Sequence, residues 1–233
     1  MEKRKQSTWK EQFRTLLPPI KHCKICFKKI EITDFCRLFD RDICLCNACQ
    51  KLLEPKFISF KIDQYKALSL YDYSEFVKKQ IYLFKGCFDY EMKDIFLNLF
   101  IKELRIYYQG YKIIPIPSYK DDDELRGFNH VVEVFKQLGI DIYPVIEKTE
   151  HFKQAEKSAK DRQSIKNYLK LNNTNSLSKN KVLIVDDIYT TGSTMRATIN
   201  LVEKLNPQVI KILVLAKTKN KDNKKSNTKH SLH

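Results

Sequence analysis

Apolar and polar positions along the chain sort into a series of short elements. Over "EFVKKQIYLFKGC", Phe76, Ile81 and Phe84 recur at near-helical spacing, and Gly86 predicts the stop. Over "YEMKDIFLNLFIKELRIYY", Met92, Ile95, Phe96, Leu99, Phe100 and Leu104 predict one long amphipathic helix ending near Gly110. "YKIIPIPS" reads as a short buried strand from Tyr111 to Pro115, broken by two prolines. "VVEVFKQLG" reads as a helix closed by Gly139. "KVLIVDD" is apolar at four successive positions, as in a parallel sheet covered on both faces, and ends in Asp186 and Asp187. "STMRATINLVEKLN" predicts a helix and "QVIKILVLAKT" a closing strand, a βαβ unit with parallel strands.

Between these elements, residues 147–180 are polar, and a segment of that length inside a domain predicts a functional loop or lid with some extended pieces. The domain organisation follows: a basic lead at 1–20, a cysteine-rich module at 21–60, an α/β domain at 61–216 and a disordered basic tail at 217–233. No apolar run approaches the ~20 residues of a membrane span. The basic N-terminus lacks the apolar stretch of a secretory signal, so the expected location is cytoplasmic.

Charge changes the picture of the partners. Lys and Arg number 43 against 28 Asp and Glu, a net charge of +15, which favours phosphate, nucleic acid or anionic lipid. Lys3, Arg4, Lys5, Lys10 and Arg14 with Trp9 and Phe13, the lysine-rich tail, and Tyr107 and Tyr108 could form a single-stranded DNA path, with cations on the backbone and rings under bases. A solvated charge run with buried aromatics is the plainer alternative.

Six of the seven cysteines lie within 27 residues. Cys23-x2-Cys26 and Cys46-x2-Cys49 have the spacing of a tetrahedral four-thiolate zinc site, which leaves no open position for substrate and is therefore structural. Cys44 is an alternative to Cys46, although its spacing to Cys49 makes a poorer turn. Cys36 has no assignment, and Cys87 is expected to be a small buried apolar residue.

The most informative segment is "VLIVDDIYTTGSTM". A strand ending in two carboxylates, followed by Thr190, Thr191, Gly192, Ser193 and Thr194 at the start of a helix, directs main-chain N–H groups into a crevice at the strand's carboxyl end. Such a turn fits a phosphate, and Asp186 and Asp187 fit adjacent sugar hydroxyls, directly or through magnesium. A nucleotide-triphosphate P-loop is disfavoured because none of the five glycines precedes a lysine. An ordinary helix cap beside a solvated acidic pair is the remaining alternative.

"VDDIYTTGST" resembles the phosphoribosyl pyrophosphate motif of type I phosphoribosyltransferases, and residues 20–216 resemble the ComF family, linked to DNA uptake in naturally competent bacteria. The cysteine module, "YDYSEFVKKQIYLFK", "IIPIPS", "RGFNH" and the Asp-Asp loop stand in that family's order. His130 replaces the family's usual Gln, the match around Asn167 is loose, and the basic tail is additional. The resemblance implies a type I phosphoribosyltransferase-like parallel sheet flanked by helices, with a small N-terminal zinc ribbon. It implies Asp186 and Asp187 on the ribose hydroxyls, residues 190–194 around the 5-phosphate, and Ser118 beside pyrophosphate. It also implies Arg126 in the same crevice, and "HFKQAEKSAKDRQSIK", with Gln154 and Arg162, as a closing loop. The implied ligand is phosphoribosyl pyrophosphate or a related sugar phosphate with magnesium, and the implied partners are single-stranded DNA and the DNA-uptake machinery. Any chemistry would displace pyrophosphate at the ribose C1 carbon, but no general base for an acceptor stands out. A binding protein in transformation, an active phosphoribosyltransferase in nucleotide metabolism or salvage, and a zinc-bearing nucleic-acid adaptor with a vestigial crevice are the three readings.

Overall fold

The computed structural model describes residues 21–30, 43–148, 169–172 and 177–219. Among these residues, five strands form one mixed sheet in the order β1-β2-β7-β6-β3. They are β1 (Ile58–Ile62), β2 (Tyr65–Asp72), β3 (Tyr111–Pro115), β6 (Lys181–Tyr189) and β7 (Val209–Lys217). The β2/β7, β7/β6 and β6/β3 pairs are parallel, and β1 adds antiparallel at the edge. A separate antiparallel pair joins β4 (Ile146–Lys148) to β5 (Leu169–Leu171).

The period of two along a strand divides the central strands between two cores. Leu183 and Val185 of β6 and Leu213 and Leu215 of β7 pack with Val77, Ile81 and Phe84 of α2 (Glu75–Lys85) and Val131 and Val134 of α5 (His130–Phe135). Val182 and Ile184, with Ile212 and Val214, pack on the other side against Met195, Ile199 and Val202 of α6 (Ser193–Glu203). Burial on both faces explains the continuous apolar runs. Ser74 caps α2 by accepting from the Val77 amide at 3.3 Å, and Gly86 ends the helix, as predicted.

The long helix expected over residues 90–108 is divided. Tyr90–Ile95 is a 3₁₀ helix, and α3 covers only Ile101–Tyr107. The physical reason is visible at Phe96. Its carbonyl would accept from residue 100 in an α-helix, but instead accepts from the buried Tyr71 hydroxyl at 2.7 Å. The Phe100 amide turns to Leu97 O, at 3.0 Å. Met92, Ile95, Phe96, Leu97, Phe100 and Leu104 are all buried, a wider apolar surface than one helical stripe can place. The helix closed by Gly139 is likewise shorter: α5 passes into a 3₁₀ turn, Lys136–Leu138, before Gly139 at φ +65°.

Two strands differ from expectation at their ends. β6 continues past the two aspartates to Tyr189, because Ile188 and Tyr189 keep register with Ala216 and Lys217. Lys217, assigned to the tail by composition, is the last residue of β7, paired with Asp72 and Tyr189. The remaining tail residues from 220 onward, and the lead 1–20, lie outside the described residues.

The cysteine module shares the main core. Cys23, Ile30 and Leu45, with Cys49 and Leu53 of α1 (Asn47–Leu53), are buried in the cluster that holds Leu70, Tyr71 and Phe96. Lys24 fastens the module to the 3₁₀ helix through Glu91 at 2.6 Å and Asp94 at 2.5 Å.

Candidate sugar-phosphate cleft and cysteine centre

At the carboxyl ends of β3 and β6 lies a cleft of about 460 Å³. The parallel pairing of these strands brings Pro117 and Ser118, just beyond β3, beside Asp186 and Asp187 of β6. The cleft is further lined by Arg126 from α4 (Lys120–Arg126), His130 from the start of α5, Lys85 from the end of α2, and Lys148 and Thr194. Asp186, Asp187, Ser118, Arg126 and Thr194 all line this cleft. Thr190, Thr191, Gly192 and Ser193 form the turn from β6 into α6, beside the cleft but not among the residues lining it. Arg162, Gln154 and the closing loop lie outside the described residues.

Within the turn, Gly192 has φ +75° and leads α6, whose Arg196 amide donates to its carbonyl at 2.8 Å. Thr191 Oγ1 and Ser193 Oγ are 3.1 Å apart, and the Arg196 guanidinium donates to Thr191 O at 3.0 Å. The small residue has a packing cause. A Cβ on Gly192 would lie 2.5 Å from the Tyr189 hydroxyl and 2.7 Å from its ring.

Adjacent strand residues point to opposite sheet faces, so Asp186 and Asp187 meet different surroundings. Asp187 turns toward α2 and α5. Its Oδ2 lies 2.5 Å from Lys85 Nζ and 3.2 Å from His130 Nε2, and its Oδ1 accepts from the Ile188 amide at 2.7 Å. Burial pushes the Asp187 carboxyl up, but the His130 hydrogen bond and the Lys85 charge outweigh it and hold the group well below the usual carboxylate range. Asp186 receives the Asp187 amide at 2.9 Å but has no comparable cation among the described residues. Burial first, and the Asp187 charge second, push its carboxyl well above the ordinary value.

A raised carboxyl binds its proton more tightly folded than unfolded. Its contribution to stability is present below the ordinary value of about 3.9 and lost as pH rises through the folded value. Asp186→Asn is therefore expected to stabilise the protein at neutral pH by about 1 kcal/mol, or roughly 2–4 °C in Tm for a chain this size. The gain should shrink toward pH 4, and thermal melts between pH 4 and 8 measure it. A lower melting temperature at pH 7.5 would contradict the pairing described.

Behind the carboxylates, a second network fixes Arg126 and Ser118. Arg126 donates to Asp123 at 3.0 Å and to Lys85 O at 2.9 Å. Ser118 bonds to Asp123, and Asn129 donates to both, at 2.8 Å and 2.7 Å. Arg126 is nearly buried, at 8% side-chain exposure, so it is not a solvated surface charge. The sequence pattern does not single out Lys85 or Lys148 and gives His130 no role. Lys85 belongs to the helical pattern of α2, and only the fold carries it to Asp187, 102 residues away.

The sulfurs of Cys23, Cys26, Cys46 and Cys49 lie within 4.8 Å of one another, with Cys26 and Cys46 at 3.6 Å, and all are free of disulfides. Four tetrahedral sulfurs at ~2.3 Å from a zinc ion stand about 3.8 Å apart, so this donor set can hold a metal ion such as zinc. Burial pushes the Cys23 thiol up, but main-chain amides of Cys46, Cys26 and Ile25 bring it down to about 7. Burial and the neighbouring sulfurs push the Cys49 thiol up. Four sulfurs this close ionise together only around a cation. Cys44 is not in the set. Its sulfur faces Asp94 O at 3.8 Å, and its amide bonds Asn98. Cys87 is exposed rather than buried, because it follows Gly86 where α2 ends at the surface. Cys36 lies outside the described residues.

Other predicted features divide between surface and core. Tyr107 is exposed and Tyr108 is buried, so only the first could meet a base. Trp9, Phe13 and the basic residues of the lead lie outside the described residues. Among the described residues, no helix is long and apolar enough to cross a membrane. A larger cavity, about 570 Å³, lies between the cysteine module and α3, away from the carboxylates. Size alone therefore does not locate the chemistry.

Residues 125–232 match the phosphoribosyl transferase domain family. The chain is 26% identical over 149 residues to competence protein ComFC of Streptococcus pneumoniae, covering 64% of this chain and 67% of that protein. It is 35% identical over 117 residues to competence protein F of Haemophilus influenzae, covering 45% of this chain and about half, 49%, of that protein. Among solved structures it is similar to a hypoxanthine phosphoribosyltransferase from Staphylococcus aureus, at 15% identity, TM-score 0.35, and 55% and 66% coverage of the two chains. A purine phosphoribosyltransferase from Pyrococcus horikoshii gives 22% identity, TM-score 0.33, and 54% and 73% coverage. These overlaps are partial, and the fold is read from the strand order and pairing themselves. The two competence-protein matches and the phosphoribosyl transferase domain together support a ComF-family protein with a phosphoribosyltransferase-like domain.

Proposed function

We propose that the cleft binds phosphoribosyl pyrophosphate or a related sugar phosphate, with magnesium brought by the diphosphate, in a cytoplasmic protein acting in DNA uptake. The observation that carries this reading is the convergence, at the ends of two parallel strands, of an acidic pair with three cations, Lys85, Arg126 and Lys148. The carboxylates suit a ribose diol, and the cations suit phosphoryl oxygens. The turn at 190–194, which leads into α6 beside the cleft, would receive the 5-phosphate. Zinc at the four cysteines would hold the N-terminal module. The names of the two competence proteins support the role in DNA uptake.

Thermal melts with phosphoribosyl pyrophosphate and magnesium test the cleft. A ligand at 100 times its dissociation constant stabilises by about 2.7 kcal/mol, and the shift should vanish in Asp187→Ala. No shift in the wild-type protein overturns the proposal. Pyrophosphate release with a panel of bases and amines decides the second reading, an active transferase.

Single-stranded DNA would bind away from this cleft. Lys61, Lys66 and Lys211 stand directly opposite one another across β1, β2 and β7, an arrangement that costs stability unless an anion joins it. Exposed Tyr107 adjoins this row, its ring centroid 4.4 Å from Lys211 Nζ, along a groove of about 350 Å³. Lys61→Gln/Lys66→Gln is expected to weaken oligonucleotide binding and to flatten the log–log salt dependence by about 0.7 per lost phosphate contact. Fluorescence anisotropy across a salt series reads both effects, and an unchanged slope would exclude this path.

A further inference from the structure

Asp187 is satisfied from within the protein before any ligand arrives. One carboxylate oxygen takes the Ile188 amide, and the other is shared by Lys85 and His130. The sharing is oriented. Arg126 Nη1 lies 3.1 Å from His130 Nδ1, and a guanidinium only donates, so Nδ1 accepts and the imidazole proton sits on Nε2, facing Asp187. Lys85 is placed just as definitely. It ends α2, and its main-chain carbonyl is clamped by Arg126 Nε at 2.9 Å. Guanidinium, imidazole, carboxylate and ammonium form one continuous chain, with the ammonium at the cleft surface.

An ammonium is a compact charge with three N–H donors. One donor is spent on Asp187, and two remain for a hydroxyl or phosphoryl oxygen. Polarising a sugar hydroxyl while neutralising the carboxylate beside it is also what a divalent ion does between an acidic pair and a diol. We infer that Lys85 takes the place of a divalent cation at Asp187, so that the ribose side of the cleft accepts its sugar phosphate without a metal ion there. The inference rests on reading the cleft as a sugar-phosphate site and confines any need for magnesium to the diphosphate end.

Two measurements on the zinc-loaded full chain test it, the first without any sugar. Manganese(II) binding is followed by electron paramagnetic resonance. The wild-type protein should show no site that depends on Asp187. Lys85→Met should uncover the acidic pair and raise manganese affinity at least ten-fold, and Lys85→Met/Asp187→Asn should lose the gain. Lys85→Arg keeps the charge and should bind manganese as weakly as wild type, a control that does not depend on the folding of the methionine variant. An Asp187-dependent site in wild type or Lys85→Arg overturns the inference. The second measurement is ribose 5-phosphate binding with and without added magnesium. Wild type should differ less than two-fold between the conditions, and Lys85→Met should bind at least ten-fold more tightly with magnesium. A ten-fold magnesium dependence in wild type overturns the inference. If the manganese pattern holds while no sugar phosphate binds under either condition, the cation role of Lys85 stands and the sugar-phosphate reading fails.

Discussion

Replacing Cys49 with alanine is expected to abolish metal binding and to destabilise the protein more than any other single change considered. Three sulfurs cannot complete a tetrahedral site, and a structural zinc site contributes on the order of 10–16 kcal/mol of apparent binding free energy. Cys49 is also buried, and its neighbours Ile30, Leu45 and Leu53 belong to the core that contains Tyr71 and Phe96. Loss of the site would therefore not stop at the N-terminal module. The apolar surface of Leu70, Tyr71 and Phe96 would lose part of its cover, and the rest of the domain should melt at a lower temperature. The prediction has two readouts: metal content by atomic spectroscopy, expected to fall from one zinc per chain to none, and thermal unfolding, expected to fall by 10 °C or more. Chelation of the wild-type protein should reproduce both. Full metal content in Cys49→Ala would overturn the four-sulfur site, and an unchanged melting temperature would mean the module is not coupled to the sheet. Cys44→Ala is the matched control, because that sulfur lies outside the set.

The second large effect is expected at Gly192, the turn between β6 and α6. Gly192→Val meets two obstacles. Its φ of +75° is a left-handed conformation that costs a side chain roughly 1–2 kcal/mol, more for a β-branched one. A Cβ there also falls 2.5–2.8 Å from the Tyr189 ring and hydroxyl. Tyr189 has little room to give way, because it is buried and packs against Phe60 with centroids 5.0 Å apart. Either the turn or the ring must move, at a total of about 3 kcal/mol. The turn is where the sugar's terminal phosphate is proposed to sit, so affinity for phosphoribosyl pyrophosphate should fall at least 100-fold. Gly192→Ala should show the same direction with a smaller loss. Calorimetric titration separates binding from stability. If Gly192→Val folds and binds with wild-type affinity, the phosphate is held elsewhere.

How much of this was legible in the chain differs by element. The strands "YKIIP" and "KVLIVDD" and the helix over 75–85 could be read because burial on both faces, or on one helical stripe, leaves a local pattern. The β1–β2 hairpin is not legible in the pattern. Ile58, Phe60 and Ile62 alternate, but the turn is Asp63-Gln64 rather than a glycine-bearing pair, with Asp63 itself at φ +52°. The pattern over 90–108 predicts a continuous helix because periodicity cannot show that a tyrosine hydroxyl from β2 takes a carbonyl out of its ladder.

The site divides along the same line. Sequence alone determined the acidic pair, the small-residue turn and, up to the choice between Cys44 and Cys46, the paired cysteines, since each acidic pair, turn or CxxC is a short run whose chemistry depends on neighbours a few positions away. The tertiary structure decided the electrostatics: Lys85, Arg126 and His130 lie on three separate helices, and each is an ordinary residue of its own segment. Only the parallel pairing of β3 with β6, and the packing of α2 and α5 on one face of that sheet, bring them to Asp187. Charge acts through space over a few ångströms, and the chain order holds no record of which distant residues will share that space.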